Sequence, residues 1–174
     1  MIVRPMTHED ALARQRMSRS AEELKNAGVC PTCRHFETGG VYPHADARTF
    51  YEDETIVCML EAFPRARGHA ILLVKPHYED VSELPLPVAM QLLPVVHAAI
   101  QALKSVLAAE KVYLCSMCDG KRNHFHLQLI PRLSGDNMMG SKRFVKPRGV
   151  LDGDYRNTVS QLQNAMRNRL NRMA

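Results

Sequence analysis

The sequence lacks an uninterrupted apolar run long enough to cross a membrane. Its most apolar stretch, residues 86–109, is broken by Gln91, Pro94, His97 and Lys104, whereas a membrane-spanning helix needs about 20 predominantly apolar residues. The first residues, MIVRPMTHEDALARQR, also lack the apolar segment and the cleavage site of a signal peptide. The sequence therefore predicts neither a membrane span nor export, and we expect the protein in the cytoplasm.

Internal repeats and low-complexity tracts are absent as well. The composition of 45% apolar and 24% charged residues is that of an ordinary globular protein, which excludes disordered and fibrous classes. A chain of 174 residues can bury roughly 70% of its unfolded surface, so the fold can rest on its own core without disulfide bonds. The net charge of +5 favours anionic ligands, with phosphate as the natural candidate.

The local patterns predict one α+β domain over residues 1–174. A capping residue at Thr7 and a glycine at Gly28 bound a predicted helix over residues 7–27. A long, largely buried helix is predicted over residues 87–110, with Pro94 kinking or splitting it. A terminal helix over residues 154–173 carries an apolar stripe that predicts packing or a dimer contact. Strand-like runs predict about five antiparallel strands, in residues 48–62 (two strands), 70–75, 111–119 and 123–131.

The segment HFHLQ, residues 124–128, alternates polar and apolar side chains. A strand places alternate residues on opposite faces, so His124, His126 and Gln128 share one face. Two histidines in a row on a strand face are consistent with a metal site, with catalysis or with a solvated surface. The spacing by itself leaves these three alternatives open.

The cysteines number five, an odd count in a chain without a predicted export signal, which indicates a reducing compartment. Cys30 and Cys33 form a CxxC pair that can supply two of the four ligands of a tetrahedral zinc ion. The surrounding segment, residues 28–40, predicts an irregular loop. That context disfavours a redox motif, which opens a helix after a strand. Cys115 and Cys118 lie on opposite faces of a predicted strand and are predicted to be buried thiols.

Basic residues surround the histidine-bearing strand. Such residues are usually solvated, but charge-assisted hydrogen bonds to phosphoryl groups are strong, so this arrangement suits a phosphate site. We expect at least one of them to contact a ligand. They are Arg65 and Arg67 before the third strand, Lys121 and Arg122 before the histidines, and Arg132 after them.

Two segments in this order, GHAILLVKPH at residues 68–77 and NHFHLQLIPR at residues 123–132, resemble the histidine triad superfamily. The resemblance extends from about residue 30 to residue 132. It implies a histidine-triad-like antiparallel sheet with a long packing helix, flanked by extra N- and C-terminal helices. The family pattern is HxHxH, whereas Gln128 stands at the third histidine. The HxHxQ pattern is similar to the transferase branch of galactose-1-phosphate uridylyltransferases and dinucleoside-tetraphosphate phosphorylases.

The resemblance implies a different role for each histidine. His126 would be the nucleophile that takes up a nucleoside monophosphate, with Gln128 orienting the phosphoryl group. A neutral imidazole can attack phosphorus if its other nitrogen donates to a carbonyl or carboxylate, which fixes the tautomer. In zinc-bearing members, a CxxC pair and two histidines form one structural site, which here implies Cys30, Cys33, His77 and His124.

The resemblance also places residues around the substrate. Glu61 stands where an acidic residue would bind the ribose hydroxyls, although a solvated charge at a strand end is an equal alternative. Lys121, Arg122 and Asn123 occupy the approach to the nucleophile and are candidate substrate-binding residues. The loop that begins at Asp119 lacks the GQS-type phosphate segment usual in the family.

The sequence thus predicts an enzyme that hydrolyses or transfers a nucleotidyl group. It would act at the α-phosphate of a nucleoside polyphosphate, a dinucleoside polyphosphate or a nucleotide sugar. The resemblance implies a homodimer, and neither nucleic acid nor a membrane is expected as a partner. Two alternatives are a non-catalytic zinc module that binds nucleotide or nucleic acid, and a CxxC thiol oxidoreductase. The base, the second-step acceptor and the role of the basic segment 141–148 are not predicted.

Overall fold

The computed structural model describes residues 2–117, 122–136, 140, 142–145 and 149–173. Helices α1 to α6 span His8–Asn26, Pro31–Thr38, Ala45–Arg48, Leu86–Leu107, Lys142–Val145 and Tyr155–Leu170. Strands β1 to β7 span Val3–Pro5, Thr49–Glu52, Ile56–Leu60, Ala70–Val74, Ala109–Cys115, His126–Leu133 and Gly149–Leu151. A 3₁₀ turn at Val81–Glu83 precedes α4.

Five of the strands form one antiparallel sheet in the order β2-β3-β4-β6-β5. The predicted α+β fold with an antiparallel sheet is therefore confirmed. In the central pair, Leu73 lies opposite His126 and Ile71 opposite Gln128. Strand β6 begins at His126, later than predicted, and the Phe125 N–H just before it donates to the carbonyl of Tyr78 at 2.7 Å.

The strands alternate between two buried faces, as their period of two requires. One face carries Ile56, Cys58, Leu60, Ala70, Leu72, Val74 and Leu129 and joins the main hydrophobic core. The opposite face carries Val57, Met59, Ile71 and Leu73, which pack with Phe36, Tyr42 and Ala45 near α2 and α3. His126 and Gln128 lie on this second face, beside the smaller core.

Helix α4 covers the main core and is joined there by α6. The buried residues of α4 are Leu92, Val95, Val96, Ala98, Ala99, Ala102, Leu103 and Leu107. Pro94 lies within α4, and the helix runs through it unsplit. The apolar stripe of α6, including Val159, Leu162 and Met166, is buried in the same core, so the predicted packing role of this helix is confirmed.

The length and apolar composition of α4 meet the criteria for a membrane-spanning helix, although the interrupting polar residues argued against a span. This is weak evidence for a membrane, because the core helix of a water-soluble protein meets the same criteria. Core contacts account for the buried apolar residues of α4, whereas Leu86, Met90 and Leu93 of this helix are exposed.

The N-terminal helix α1 is confirmed, with the predicted cap. The Thr7 side chain accepts from the Asp10 N–H, and the Asp10 carboxylate accepts from the Thr7 N–H in a reciprocal capping box. Gly28 follows the helix with a φ of +80°, a conformation that glycine adopts without strain. Arg4 holds the start of α1 through an ion pair with Asp10.

Helix α2 corrects the prediction of an irregular loop around the CxxC motif. Cys30 is the N-cap of this helix and Pro31 its first residue, a position where proline lacks only a donor that would be unpaired anyway. The small sheet of β1 and β7 was also not predicted, because three-residue strands carry too little periodicity to be recognised.

Candidate active site and metal centre

Four side chains that the sequence assigns to a metal come together where α2 meets the ends of β4 and β6. The ligand atoms of Cys30, Cys33, His77 and His124 all lie within 4.8 Å of one another. Cys33 Sγ is 3.3 Å from His77 Nδ1 and 3.5 Å from His124 Nδ1, and Cys30 Sγ is 3.5 Å from His124 Nδ1. The structure therefore gathers the complete predicted ligand set.

These separations fit a tetrahedral zinc ion. Zinc–sulfur bonds of about 2.3 Å and zinc–nitrogen bonds of about 2.0–2.1 Å at tetrahedral angles require sulfur–nitrogen distances of about 3.6 Å. The three measured sulfur–nitrogen distances are close to that value. The donor set of two thiolates and two imidazoles is also one that zinc prefers. The four residues can thus hold zinc without a large rearrangement.

A hydrogen bond fixes the ring orientation of His124. Its Nε2–H donates to the carbonyl of Val74 at 2.6 Å, so Nδ1 is the nitrogen that carries the lone pair toward the two sulfurs. A metal-ligating histidine usually donates its other N–H in this way. Nε2 of His77 lies 3.9 Å from a carboxylate oxygen of Glu79, which favours the same arrangement for the second imidazole.

The surroundings of Cys33 and His124 disfavour the thiolate of the first and the protonated imidazole of the second. Burial and the neighbouring Cys30 thiol raise the pKa of Cys33 to about 12. Burial lowers the pKa of His124 below the usual value, and the adjacent His77 and His126 lower it further. A bound divalent cation would favour the thiolates and neutral imidazoles that act as ligands.

The helical start of α2 explains how the two cysteines reach one ion. Residues three positions apart lie on the same helix face, so Cys30 and Cys33 present their sulfurs to the same side. The CxxC pair does open a helix, contrary to the predicted loop. It still follows helix α1 and not a strand, and the two nearby histidines favour metal binding over a redox role.

A backbone hydrogen bond fixes the orientation and the tautomer of the His126 ring. Its Nδ1–H donates to the backbone carbonyl of His124 at 2.9 Å, which makes Nε2 the nitrogen with the lone pair. This is the tautomer that an attacking imidazole requires, because the donated hydrogen bond stabilises the positive charge that forms on the ring. His124, whose ring belongs to the candidate metal cluster, thus also orients the His126 ring through its backbone carbonyl.

Gln128 lies on the same sheet face, two residues after His126. Its side chain is buried, and the amide oxygen has no hydrogen-bond partner among the described residues. Buried polar groups nearly always have a hydrogen-bond partner, so the side-chain amide of Gln128 is suited to forming a hydrogen bond with a ligand. The prediction that His126 and Gln128 share a face is confirmed by their common position on the cavity wall.

A cavity of about 450 Å³ lies over this face of the sheet, between α1, α2 and the strands. Its volume falls within the range of roughly 300–1,000 Å³ usual for small-molecule sites. The polar wall contains His124, His126, Gln128, Glu61, Arg122 and Asn123. The apolar wall contains Met17, Pro31, Met59, Ile71, Leu73 and Met117. A ligand with one flat apolar part and one anionic part would match both walls.

Glu61 lies at the end of β3 on the cavity wall, half-buried. One carboxylate oxygen accepts from the Phe63 N–H at 3.1 Å. A fully solvated strand-end charge, the alternative considered from the sequence, does not describe this position. A carboxylate on a cavity wall can accept hydrogen bonds from ligand hydroxyls.

The predicted basic residues divide into two groups. Arg65 and Arg122 line the cavity, whereas Arg132 points elsewhere and pairs with Glu110 at 2.6 Å. Arg67 does not line the cavity. Lys121 lies outside the described residues, as do Cys118 and, within the basic segment 141–148, residues 141 and 146–148.

Several cavity residues were not found from the sequence. Lys25 of α1 and Arg48 of α3 line the cavity, together with Thr32 and Tyr42. Arg48 is buried and donates to the carbonyls of Pro43 and Leu60, and burial lowers its pKa from the usual value. The position of Lys25 on one face of α1 could be read from the sequence, because Met17, Ala21 and Lys25 follow one another at intervals of four residues.

Comparisons with known proteins identify the core of this chain. The HIT domain family model matches residues 43–135, which leaves α1, α2 and α6 outside the match. An uncharacterized HIT-like protein of Methanocaldococcus jannaschii is 30% identical over 94 residues, covering 52% of this chain and 72% of that protein. Adenylylsulfatase HINT3 of Arabidopsis thaliana is 25% identical over 114 residues, covering 63% of this chain and 58% of that protein.

Solved structures share the fold. A zinc-bound histidine triad family protein from Mycobacterium smegmatis matches with a TM-score of 0.61 and 21% identity, covering 82% of this chain and 95% of that one. A uridylyltransferase matches with a TM-score of 0.63 and 16% identity, covering 89% of this chain and 50% of that one. At these identities the similarity establishes the fold of the chain.

Proposed function

The chain belongs to the HIT domain family, and from that premise we propose that it is a nucleotide hydrolase or nucleotidyltransferase. The proposed reaction takes place at the α-phosphate of a nucleotide substrate and passes through a nucleotidyl-histidine at His126. The observation that carries the proposal is the hydrogen bond from His126 Nδ1 to the His124 carbonyl, because it presents an attacking nitrogen inside a ligand-sized cavity.

In the first step, His126 Nε2 attacks the α-phosphorus of the substrate. A phosphorus–nitrogen bond forms, the bond to the leaving-group oxygen breaks, and the leaving group departs with the electron pair. The Nδ1 proton stays on the ring, and its hydrogen bond to the His124 carbonyl stabilises the imidazolium-like intermediate. In the second step, an oxygen of water or of a phosphate attacks phosphorus, and the phosphorus–nitrogen bond breaks with its electron pair returning to Nε2. When water attacks, one of its protons is released to solvent.

Gln128 limits which leaving groups depart readily. An amide can donate a hydrogen bond to a phosphoryl oxygen, but it cannot deliver a proton to the leaving group as an acid would. Its buried position beside His126 supports a role in orienting the phosphoryl group. Substrates whose leaving groups are stable anions are therefore favoured, which includes polyphosphates and nucleotide sugars.

The metal cluster supports a structural role for zinc next to the reaction. Zinc held by Cys30, Cys33, His77 and His124 would cross-link α2 to the sheet. Because the His124 carbonyl orients His126, a firm position of His124 also serves the nucleophile. In this proposal the ion takes no part in bond making.

The polar wall provides the remaining substrate contacts. Glu61 is proposed to bind ribose hydroxyls, and Arg122, Asn123 and Lys121 to bind phosphate oxygens near the nucleophile. The names of two similar proteins, an adenylylsulfatase and a uridylyltransferase, both describe reactions of nucleotidyl groups. They support the class of reaction and leave the base of the nucleotide open.

The proposal is tested by trapping the intermediate. Zinc-loaded protein is mixed with a labelled dinucleoside polyphosphate, and intact mass is measured under conditions that avoid acid. We expect a nucleoside monophosphate adduct in the wild type and in Lys104→Ala, a control on the exposed side of α4, and no adduct in His126→Ala. Binding without adduct or turnover in the wild type would instead support the non-catalytic zinc module.

Three further expectations stay predictions. They are the single domain over residues 1–174, the homodimeric state and the cytoplasmic location. Sedimentation analysis of the purified protein tests the second, and limited proteolysis with mass analysis tests the first.

A further inference from the structure

We propose that Lys25, Arg65 and Arg122 form a subsite for the phosphate groups of the leaving group. The substrate class is then a nucleoside polyphosphate, which releases a polyanion when His126 attacks. This inference rests on the proposed function, since it takes attack by His126 as its starting point. It adds a binding site to which α1, a helix outside the family match, contributes a side chain.

Helix α1 presents one face to the cavity although none of its residues is fully buried. Met17, Ala21 and Lys25 line the cavity wall and follow one another at four-residue intervals. This face changes from apolar to cationic toward the C-terminal end of the helix. Lys25 is half-buried and lines the cavity, and a lysine in such a position can pack its stem on the protein while its ammonium group stays accessible to a ligand.

Arg122 lies against the same end of α1. Its Nη2 atom is 3.5 Å from the position that a Cβ on Gly28 would occupy. The Gly28 N–H donates to the carbonyl of Lys25 at 3.0 Å, so Arg122 contacts the turn that carries the lysine. Lys25, Arg122 and His126 line the same cavity, so this pair of cations shares the cavity with the proposed nucleophile.

The charges on the cavity wall are unbalanced. Among the described residues, Lys25, Arg48, Arg65 and Arg122 line it, against one lining carboxylate, that of Glu61. The Arg48 guanidinium is held by backbone carbonyls. In the described part of the chain, the other three cations form no ion pair with a carboxylate; the ion pairs there involve other residues. Three uncompensated cations around one cavity attract a polyanion.

These cations can stabilise the negative charge that develops on the leaving group. Since Gln128 cannot protonate the leaving group, the developing charge must be stabilised by other means. Ammonium and guanidinium groups do this by charge-assisted hydrogen bonds to phosphate oxygens. A leaving group with several negative charges benefits most from such a subsite.

Binding measurements test the subsite without turnover. The zinc-loaded His126→Ala protein is titrated with ATP and with AMP by calorimetry. The same titrations are repeated with the double variant that carries both His126→Ala and Lys25→Ala. We expect Lys25→Ala to weaken ATP binding about tenfold and AMP binding less than about twofold, because only ATP carries the extra phosphates. Arg19→Ala, an exposed cation on α1 that does not line the cavity, is the matched control and is expected to change neither affinity.

Kinetics provide a second readout in the active protein. ATP and the p-nitrophenyl ester of AMP share a nucleotidyl group but differ in the charge of their leaving groups. Lys25→Ala should lower kcat/KM for ATP about tenfold and that for the ester less than about twofold, while Lys25→Arg should retain most of the ATP rate. If Lys25→Ala lowers the affinities for ATP and AMP equally, or lowers kcat/KM equally for ATP and the ester, the leaving-group subsite is wrong. The proposed function would not be affected by either result. Absence of nucleotide binding and of turnover in the unsubstituted chain would overturn both.

Discussion

Replacing Gly68 by alanine is expected to destabilise the fold strongly. Gly68 has a φ of +75°, and a Cβ at this position would lie 2.0 Å from Leu107 Cδ1 and 3.5 Å from Pro131 Cγ. Leu107 is buried at the end of α4, so its side chain has little room to move away. The left-handed backbone adds about 1–2 kcal/mol of strain for an L-residue, and overpacking adds about 1–3 kcal/mol. We therefore expect a loss of about 2–5 kcal/mol in the free energy of unfolding.

Urea denaturation followed by circular dichroism measures this loss. Gly135→Ala is the matched control, because Gly135 has a φ of +79° and, apart from its chain neighbours, no described residue has an atom within 4 Å of the added Cβ. It should show only the backbone term of about 1–2 kcal/mol. In the double variant with Leu107→Ala, the cost of Gly68→Ala should fall toward the control value, because the clashing atom is gone. If Gly68→Ala and Gly135→Ala cost the same, the steric argument is wrong.

The remaining predictions concern the metal, the leaving group and acid. Cys33→Ser should abolish stoichiometric zinc binding in metal analysis. It should also lower the yield of the nucleotidyl adduct at least about tenfold, because His126 is oriented by the backbone of the cluster residue His124. Full zinc content in this variant would contradict the ligand assignment. The wild type should turn over a nucleoside polyphosphate with a higher kcat/KM than a phosphoramidate. Gln128→His should narrow this difference in kcat/KM, because an imidazolium can protonate the amine leaving group of the phosphoramidate. A wild-type preference for the phosphoramidate would contradict the role given to Gln128. The hydrogen bond from Arg4 lowers the pKa of Asp10, so Asp10→Asn should reduce the free energy of unfolding at neutral pH. The difference between the two proteins should shrink as the pH falls below about 3.9, the pKa of the carboxyl group in the unfolded chain. A difference that does not change with pH in urea titrations would exclude this ionic contribution.

Local sequence patterns were sufficient for most of the secondary structure. The period of two in residues 126–129 and the cap at Thr7 were recognised because each depends on neighbours in the chain. Helix α2 was misread as a loop, since the glycines around it outweighed the helical start at Cys30 and Pro31. Short elements of this kind are decided by the contacts that cover them.

The sequence by itself determined which chemical groups are available and which of them share a strand face, because the backbone geometry of a strand is the same in every protein. It indicated Cys30 and Cys33 by their CxxC spacing, but it joined them to His77 and His124 only through a family resemblance, as Cys30 and His124 are 94 residues apart. Only the tertiary structure decided that α1 brings Lys25 to the cavity and that Arg132 turns to Glu110. Those outcomes depend on how separate elements pack against one another, and the local pattern of one element does not specify which distant segment it packs against.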